Sequence, residues 1–490
     1  MRNFTCMILL TVILIPGPVL AQFEKEAVTP TTVNAKTTTA VAKALFADRD
    51  EDLHAVCIQA AQAGSDVYYY KFKNSTGRWL EGIALTEGAR ATDAAISGDY
   101  KGNLQVVWED DGSLYHRMWN TTSEEWEPPD LVAENAWNPH VICDRSPNAH
   151  FIWLEKTEPG AETSYLSHRY LDSYGEWTNA TPFSPLDAHS VEPGIALDQR
   201  NGLHVVWKMK FNATDSYDMF YAYRKAGREW GPFERILEGS DRTIHSPAAA
   251  ADKDSYLYVV WEEWTGEDSR IYFRSWKGSW EEPSLVIDSG TARNPVIAAD
   301  EGLNIHLVWE DTLGGQNPEI YYQRLWPLGI WSSPQKLTSD HVSYESSTPP
   351  RIEISSRSRN MHIVWSELGT VYHGFWPGNR KEDASRSASK ARSEISEVQR
   401  QPFVAPDAIA KYDDALVAYE AGVQSLKVFD VPMANQNFYD CIDLLEVGHE
   451  LEEEYKVNKG RSMGMTLSIA GILAGAIVVI PWLVIRNQEA

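Results

Sequence analysis

Acidic side chains gather at one recurrent place in this 490-residue chain, just past a tryptophan. Glu109-Asp110-Asp111 follows Trp108, Glu155 lies two residues beyond Trp153, Glu262-Glu263 follows Trp261, Glu310-Asp311 follows Trp309, and Glu367 lies two beyond Trp365. Carboxylates on loops that share one face can accept hydrogen bonds from a sugar, hold a cation or grip a basic protein patch. Hydrolysis of a glycosidic bond demands more: two carboxyl groups, or a tyrosine–carboxylate pair, at a defined separation. Arg90, Arg242, Arg293 and Arg351 stand in the segments leading from one such unit to the next, so they are expected on the same face as the acidic loops. The expected ligand-binding set is Glu109, Asp110, Glu155, Glu262, Glu263, Glu310, Asp311, Arg90, Arg242, Arg293 and Arg351. A solvated rim tied by structural ion pairs is the plain alternative.

Five histidines, His54, His150, His204, His306 and His362, open the runs that end in tryptophan or, in the first copy, in Cys57. A zinc ion needs its donors about 2 Å away. One histidine per repeat spreads these rings apart, so they read as packing residues; no metal or cofactor is implied.

The elements that must position these groups come from the repeat itself. Leu104-Gln105-Val106-Val107-Trp108 returns as Phe151-Ile152-Trp153, Leu203-His204-Val205-Val206-Trp207, Val259-Val260-Trp261, Leu307-Val308-Trp309 and Ile363-Val364-Trp365, with Leu53-His54-Ala55-Val56-Cys57 as the earliest copy. A period of about fifty residues marks one supersecondary unit copied around a ring or along an array. Each unit holds four strand-like phrases separated by Gly, Pro, Asn and Asp, the pattern of propeller blades. An aspartate closes the first phrase at Asp48, Asp99, Asp144, Asp198, Asp252 and Asp300, with Ser355 in the last copy, and suits a turn that bonds its own backbone. The seventh unit lacks its fourth phrase. Phe23 to Thr29 aligns with Trp280 to Val286, so residues 22–30 are expected to complete the last blade and remove an exposed edge pair.

The Trp-Pro phrase of Trp280-Glu281-Glu282-Pro283 and the His204-Val205-Val206-Trp207 phrase, both recurrent, resemble the sialidase-like (BNR-type) β-propeller superfamily over about residues 23–376. That resemblance implies an arginine cluster gripping a carboxylate, a tyrosine nucleophile paired with glutamate, and an aspartate acid–base. The Ser-x-Asp-x-Gly-x-Thr-Trp boxes frequent in sialidases do not occur here, and Tyr344-Glu345 is the nearest approach to the nucleophile pair. Seven units are counted where six are usual for sialidases.

The ends carry other signals. Residues 1–21 read as a secretory signal peptide, with Arg2, an apolar core and Val19-Leu20-Ala21. Residues 377–404 have a polar linker composition. Ile409, Tyr412, Leu416, Tyr419, Val423 and Leu426, then Phe438, Ile442, Leu445, Leu451 and Tyr455, recur at helical spacing, so 405–460 reads as a helical hairpin stalk broken at Asp430-Val431-Pro432. Residues 463–485 are apolar over the length of a transmembrane helix, leaving 486–490 as a cytoplasmic stub. The net charge of −25 argues against nucleic acid. Sequons at Asn74, Asn120 and Asn212 fit an extracellular glycoprotein.

The expected architecture is thus all-β: a seven-bladed β-propeller of four-stranded blades over 22–376, then the α-helical hairpin and one membrane helix. The expected role is non-catalytic recognition of an extracellular glycan or protein by a single-pass plasma-membrane protein, with a homodimer through the stalk as a further expectation. A sialidase-type exo-glycosidase and a structural cell-envelope component are the alternatives.

Overall fold

A computed structural model describes residues 24–30, 35–36, 44–61, 64–158, 160–211, 216–239, 243–313, 315, 317–338, 350–356, 358–367, 369–376, 384–428 and 430–486; of residues 24, 35–36, 385–386 and 460–486 it describes the backbone only. The signal peptide expected over 1–21, Arg242, Asn212 and Tyr344-Glu345 lie outside the described residues.

Seven antiparallel sheets follow one another along the chain, which forms a seven-bladed all-β propeller followed by a helical region. The second strands of blades one to seven are Leu53–Ala61, Leu104–Asp110, Ala149–Glu155, Leu203–Phe211, Leu257–Trp264, Ile305–Asp311 and Met361–Glu367. Each pairs on one side with a first strand and on the other with a third. The first strands are Leu45–Ala47, Ala91–Gly98, Ala136–Cys143, Ala188–Leu197, Thr243–Ala251, Arg293–Ala299 and Arg351–Ile354. Each touches the first strand of the next blade, and Arg351–Ile354 touches Leu45–Ala47, so the ring closes. In blade seven the outer strand is Glu24–Ala27, antiparallel to Thr370–Trp376 with Glu24 opposite Phe375 and Ala27 opposite Tyr372. The chain continues the clasp: Val28 N–H donates to Val371 at 2.8 Å, and Val371 N–H donates to Thr29 Oγ1 at 3.0 Å.

The second strands are apolar along their length because blades stack on both of their faces. Trp153, Trp207, Trp261, Trp309 and Trp365 have no solvent exposure. Burial of one such ring contributes roughly 4–6 kcal/mol of transfer free energy as an upper bound. Arginines on the third strands of blades two, three and five tie each of those blades to its predecessor. Arg117 donates to the Leu85 carbonyl (2.8 Å), Arg169 to Val132 (3.0 Å), and Arg274 to Ile236.

The recurrent aspartates hold turns. Asp144 Oδ1 accepts from the N–H groups of Ser146 and Asn148, Asp198 Oδ1 from Arg200 and Gly202, and Asp300 Oδ1 from Gly302 and Asn304, all within 2.7–2.9 Å. The second oxygen reaches the strand-opening histidine: Asp48 lies 3.1 Å from His54 Nε2, Asp144 3.3 Å from His150, and Asp198 3.4 Å from His204. The far ring nitrogen meets a third-strand partner, Tyr69 for His54, Tyr221 for His204 and Tyr322 for His306. In blades one, three, four, six and seven these histidines fasten the three inner strands together.

Residues 381–490, with 328–332, form a second compact unit. Its helices are α1 (Ser385–Arg400), α2 (Pro406–Lys427) and α3 (Val431–Arg486). The linker expected over 377–404 is therefore largely helical. Ala384, Ala388, Ala391, Ile395 and Val398 are buried along one side of α1, and in the sequence their small side chains are submerged among Ser, Arg and Glu. The buried face of α2 also differs from expectation: Ala408, Ala415, Gly422, Val423 and Leu426 face inward, while Ile409 and Leu416 are exposed. Glu452 of α3 accepts from the N–H groups of Val404 and Ala405, 2.8 Å each, and so caps α2. The second arm of the hairpin does not end at 460, because α3 continues to Arg486. Among the described residues no helix is long and apolar enough to cross a membrane. The span expected over 463–485 falls on the part of α3 whose side chains are outside the described residues, and 487–490 are outside altogether.

Candidate functional site

The face carrying the second-to-third-strand turns is built by a recurrent irregularity of the first strands. In blades three to six, pairing between first and second strands skips one dipeptide: Asn138-Pro139, Glu192-Pro193, Ser246-Pro247 and Asn294-Pro295. Proline has no N–H to give a ladder, and the residue before it takes a left-handed φ of 56°, 51°, 47° and 53° respectively. Such a bulge re-aims a side chain. Here the re-aimed groups form a hydrogen-bonded seam. Lys208 donates to Glu192 (2.7 Å), Ser246 N–H donates to the other Glu192 oxygen (2.7 Å), and Asn294 gives its N–H to Glu262 (3.2 Å) and its Nδ2 to Glu310 (3.0 Å).

The position after each core tryptophan decides where a side chain goes. Two residues on, the carboxylate turns back to the indole: Trp153 donates to Glu155 (3.1 Å), Trp261 to Glu263 (3.0 Å) and Trp309 to Asp311 (3.1 Å). Asp311 also accepts from Thr291 Oγ1 and Leu313 N–H, and Asp110 accepts from Arg90 N–H (2.9 Å). One residue on, Glu262 accepts from Ser269 Oγ (2.8 Å) in addition to Asn294. Burial holds the Glu109 carboxyl above the ordinary range, against the opposing hydrogen bonds of Thr92 and the Asn138 backbone. Three residues on, the side chain reaches the open face: Asp111, Lys156, Lys210, Trp264 and Thr312.

Two clefts open there. One, of about 700 Å3, lies between blades five and six and is lined by His245, Ser246, Glu262, Trp264, Glu267, Arg293 and Asn294 among others. Trp264 is 45% exposed. The other, of about 560 Å3, lies between blades two and three, with Glu109, Asp111, Glu134, Trp137 and Lys156 on its walls. The propeller axis holds a third space of about 200 Å3, lined by first strands and by His140 and Arg351. Arg351 is buried, and burial lowers its pKa to about 10 although Asp93 and Glu310 oppose the shift. His140 is 1% exposed and is kept neutral, its pKa lowered to about 3 by burial and then by Arg351.

The three arginines among the described residues do not meet in one pocket. Arg293 lines the blade five–six cleft, Arg351 the axial space, Arg90 is exposed near blade two, and Arg242 is outside the described residues. Of the expected carboxylates, Glu262 and Glu109 line clefts, whereas Glu155, Glu263 and Asp311 serve the core indoles. Sequence reasoning missed Trp264, Lys156 and Lys210; counting three residues on from the core tryptophan is the signal that finds them. Among the sequons, Asn74 is exposed in a turn of blade one. Asn120 is half-buried, donating to Glu127 (2.8 Å) and accepting from Thr122 N–H. Among the described residues no group of three His, Cys, Asp or Glu side chains is arranged to hold a metal ion.

No protein-family model matches the chain. No curated protein matches it either. Solved structures do. An ulvan lyase of a new polysaccharide lyase family, bound to -[GlcA(1-4)Rha3S]-, is 11% identical over 71% of this chain and 94% of its own, with a TM-score of 0.51. A second polysaccharide lyase is 11% identical over 69% of this chain and 90% of its own, at 0.50. The Hadza microbial sialidase is 10% identical over 66% and 73%, at 0.42. At these identities the likeness is one of fold alone: the chain carries a seven-bladed β-propeller.

Proposed function

We propose that the protein recognises carbohydrate in the cleft between blades five and six and binds it without cleaving it. The observation that carries this reading is Trp264, a large aromatic left 45% exposed at a cleft that also presents His245, Glu267 and Arg293. An indole face offers apolar surface to the C–H side of a sugar ring, and a few placed polar groups then fix its hydroxyls. The polysaccharide lyases that share the fold lend support. Binding without turnover is supported by Glu262 and Asp311, two of the carboxylates beside this cleft, which are committed to hydrogen bonds within the face. Display at the cell surface from a single membrane span is part of the same reading, supported by the leader-like residues 1–21 and the apolar stretch 463–485.

The test is a glycan array probed with the full-length protein. Binding to a defined set of glycans is expected, and Trp264→Ala should weaken it by about two- to tenfold, the scale of one lost stacking contact. An array with no bound glycan overturns the reading. Undiminished binding by the variant removes the cleft from it.

A glycoside hydrolase reading has one observation in its favour: Glu109, with its raised pKa, lines the blade two–three cleft beside Asp111. A carboxyl of raised pKa near a second carboxylate is the kind of pair glycosidases use as acid and base. Turnover of a bound glycan, abolished by Glu109→Gln, would replace the binding-only reading.

A further inference from the structure

Blade four departs from its neighbours in charge. Where blades two, five and six follow the core tryptophan with acids, it reads Trp207-Lys208-Met209-Lys210, and blade three places Lys156 at the matching outer position. In a chain of net charge −25 this collects cations on one sector of a face otherwise rich in carboxylates.

Lys208 is buried and neutralised by Glu192. Its Nζ also stands 5.2 Å from the Tyr217 ring, and the outer two lysines differ from it in being half-buried. Among the described residues Lys156 and Lys210 lean on aromatic rings: Lys156 Nζ stands 5.7 Å from the Trp137 ring and Lys210 Nζ 5.1 Å from the Tyr217 ring. An aromatic face holds an ammonium group without neutralising it. His189 lies beside the same ring, with centroids 6.0 Å apart, and its Nδ1 is 2.7 Å from the buried Ser164 hydroxyl. Its pKa is lowered, by burial first and then by the nearby Lys210 and Lys156. Lys156, His189, Lys210 and Tyr217 are all half-buried, so the cluster is partly walled and still open to solvent.

The cluster, on blades three and four, lies between the two clefts in blade order. Lys156 is itself a wall of the blade two–three cleft. On the other side the seam from Lys208 through Glu192 to Ser246 leads into the blade five–six cleft, where Ser246 is a lining residue. A chain lying across the face from one cleft to the other passes over the cationic sector.

We propose that Lys156, His189, Lys210 and Tyr217, where blades three and four meet, form a subsite for the carboxylate or sulfate group of an acidic polysaccharide. This rests on the carbohydrate reading given above and names its ligand class. The two ammonium groups supply charge-assisted hydrogen bonds to the anion. The Tyr217 ring supplies an apolar wall for the sugar that carries it.

The experiment measures binding of the full-length protein to polygalacturonate, dextran sulfate and neutral dextran. Both anionic polymers, or one of them, should bind more tightly than dextran. Lys156→Ala with Lys210→Ala should weaken the anionic ligand by about tenfold or more while leaving dextran binding unchanged. Lys156→Arg with Lys210→Arg should retain it, which separates lost charge from lost folding. The preferred polymer identifies carboxylate or sulfate as the recognised group. Binding of dextran with no preference for either anion, or an anion preference that survives the double alanine variant, overturns the subsite alone. If no polysaccharide binds, the carbohydrate reading fails and the subsite falls with it.

Discussion

Trp230 of blade four donates its indole N–H to His168 Nδ1 of blade three at 3.3 Å. The direction of that bond fixes a longer relay. With Nδ1 accepting, His168 donates through Nε2 to His150 Nδ1 (3.1 Å), and His150 donates through Nε2 to Asp144 (3.3 Å). Every member has one donor or acceptor role assigned by its neighbour, and each ring must stay neutral to play both parts. A proton added to either histidine leaves two N–H groups pointing at each other in a buried seam.

The first prediction concerns acid. His150 and His168 have lowered pKa values, by burial first, and burial lowers those of His116 and His140 to about 3. The unfolded chain binds more protons than the folded one from about pH 6.5 down to about pH 3, so stability is full above pH 6.5 and is lost as pH falls through that window. The carboxylates add to the fall only lower down, because Asp144, Asp198 and Asp300 have pKa values brought below 3.8: burial alone would raise them, and the hydrogen bonds from their histidines prevail. Melting temperature followed by tryptophan fluorescence should begin to drop near pH 6.5. It should drop less steeply in His116→Gln. A melting temperature flat from pH 8 to pH 5 would contradict this account.

The second prediction concerns ring closure. Glu26 accepts from His373 Nδ1 at 2.7 Å within blade seven and from the Trp79 indole of blade one at 3.2 Å. One side chain of the amino-terminal strand thus joins the last blade to the first. It is 42% exposed, so solvent screens part of its contribution. Glu26→Ala should cost about 1–2 kcal/mol in denaturant unfolding. Removing residues 22–30 should cost far more, since it strips the outer strand from Thr370–Trp376 and exposes a sheet edge.

The parts of this architecture that the sequence discloses are those in which one residue type recurs for one physical reason. Trp108, Trp153, Trp207, Trp261, Trp309 and Trp365 announce the second strands because those strands are buried on both faces and their apolar runs need no alternation. The phrase from Phe23 to Thr29 reads like Trp280 to Val286, and both Glu24–Ala27 and Ser284–Gly290 are outer strands. Small side chains disclose less. Helix α1 hides because Ala384, Ala388 and Ala391 make a buried face too weakly apolar to stand out. In α2 the large residues Ile409 and Leu416 draw attention away from the seam of Ala408, Ala415 and Gly422. At the site, an acid one, two or three residues past the tryptophan looks alike in the sequence. Only strand register shows that Glu263 serves the Trp261 indole while Trp264 faces outward.

A third prediction follows from Cys57, which stands where the other blades have tryptophan. It is 1% exposed, and burial pushes its thiol up to about 12. Cys441 is also buried, its thiol pushed up to about 11, while Cys143 is half-buried. The thiolate is the reactive species. Brief alkylation of the native protein at pH 8, read by peptide mass spectrometry, should modify Cys143 well ahead of Cys57 and Cys441. Prior unfolding should make the three equivalent. Rapid native labelling of Cys57 would mean that blade one opens locally.

The last prediction sets two opposing effects against each other at Gly422. In an exposed helix, alanine is more stable than glycine by about 1 kcal/mol, because glycine surrenders more backbone entropy on folding. Gly422 is buried in α2, and a Cβ there would lie 2.6 Å from Phe438 Cε1, with two further ring atoms within 2.9 Å. Phe438 has no solvent exposure. Overpacking of this kind costs about 1–3 kcal/mol, enough to reverse the propensity gain. Gly422→Ala should therefore loosen the packing of α2 on α3, seen as faster proteolysis within 405–460 while the propeller stays resistant. Adding Phe438→Leu should make room for the methyl group and recover part of the loss. A variant stabilised by Gly422→Ala alone would mean that the two helices are not held at this spacing in solution.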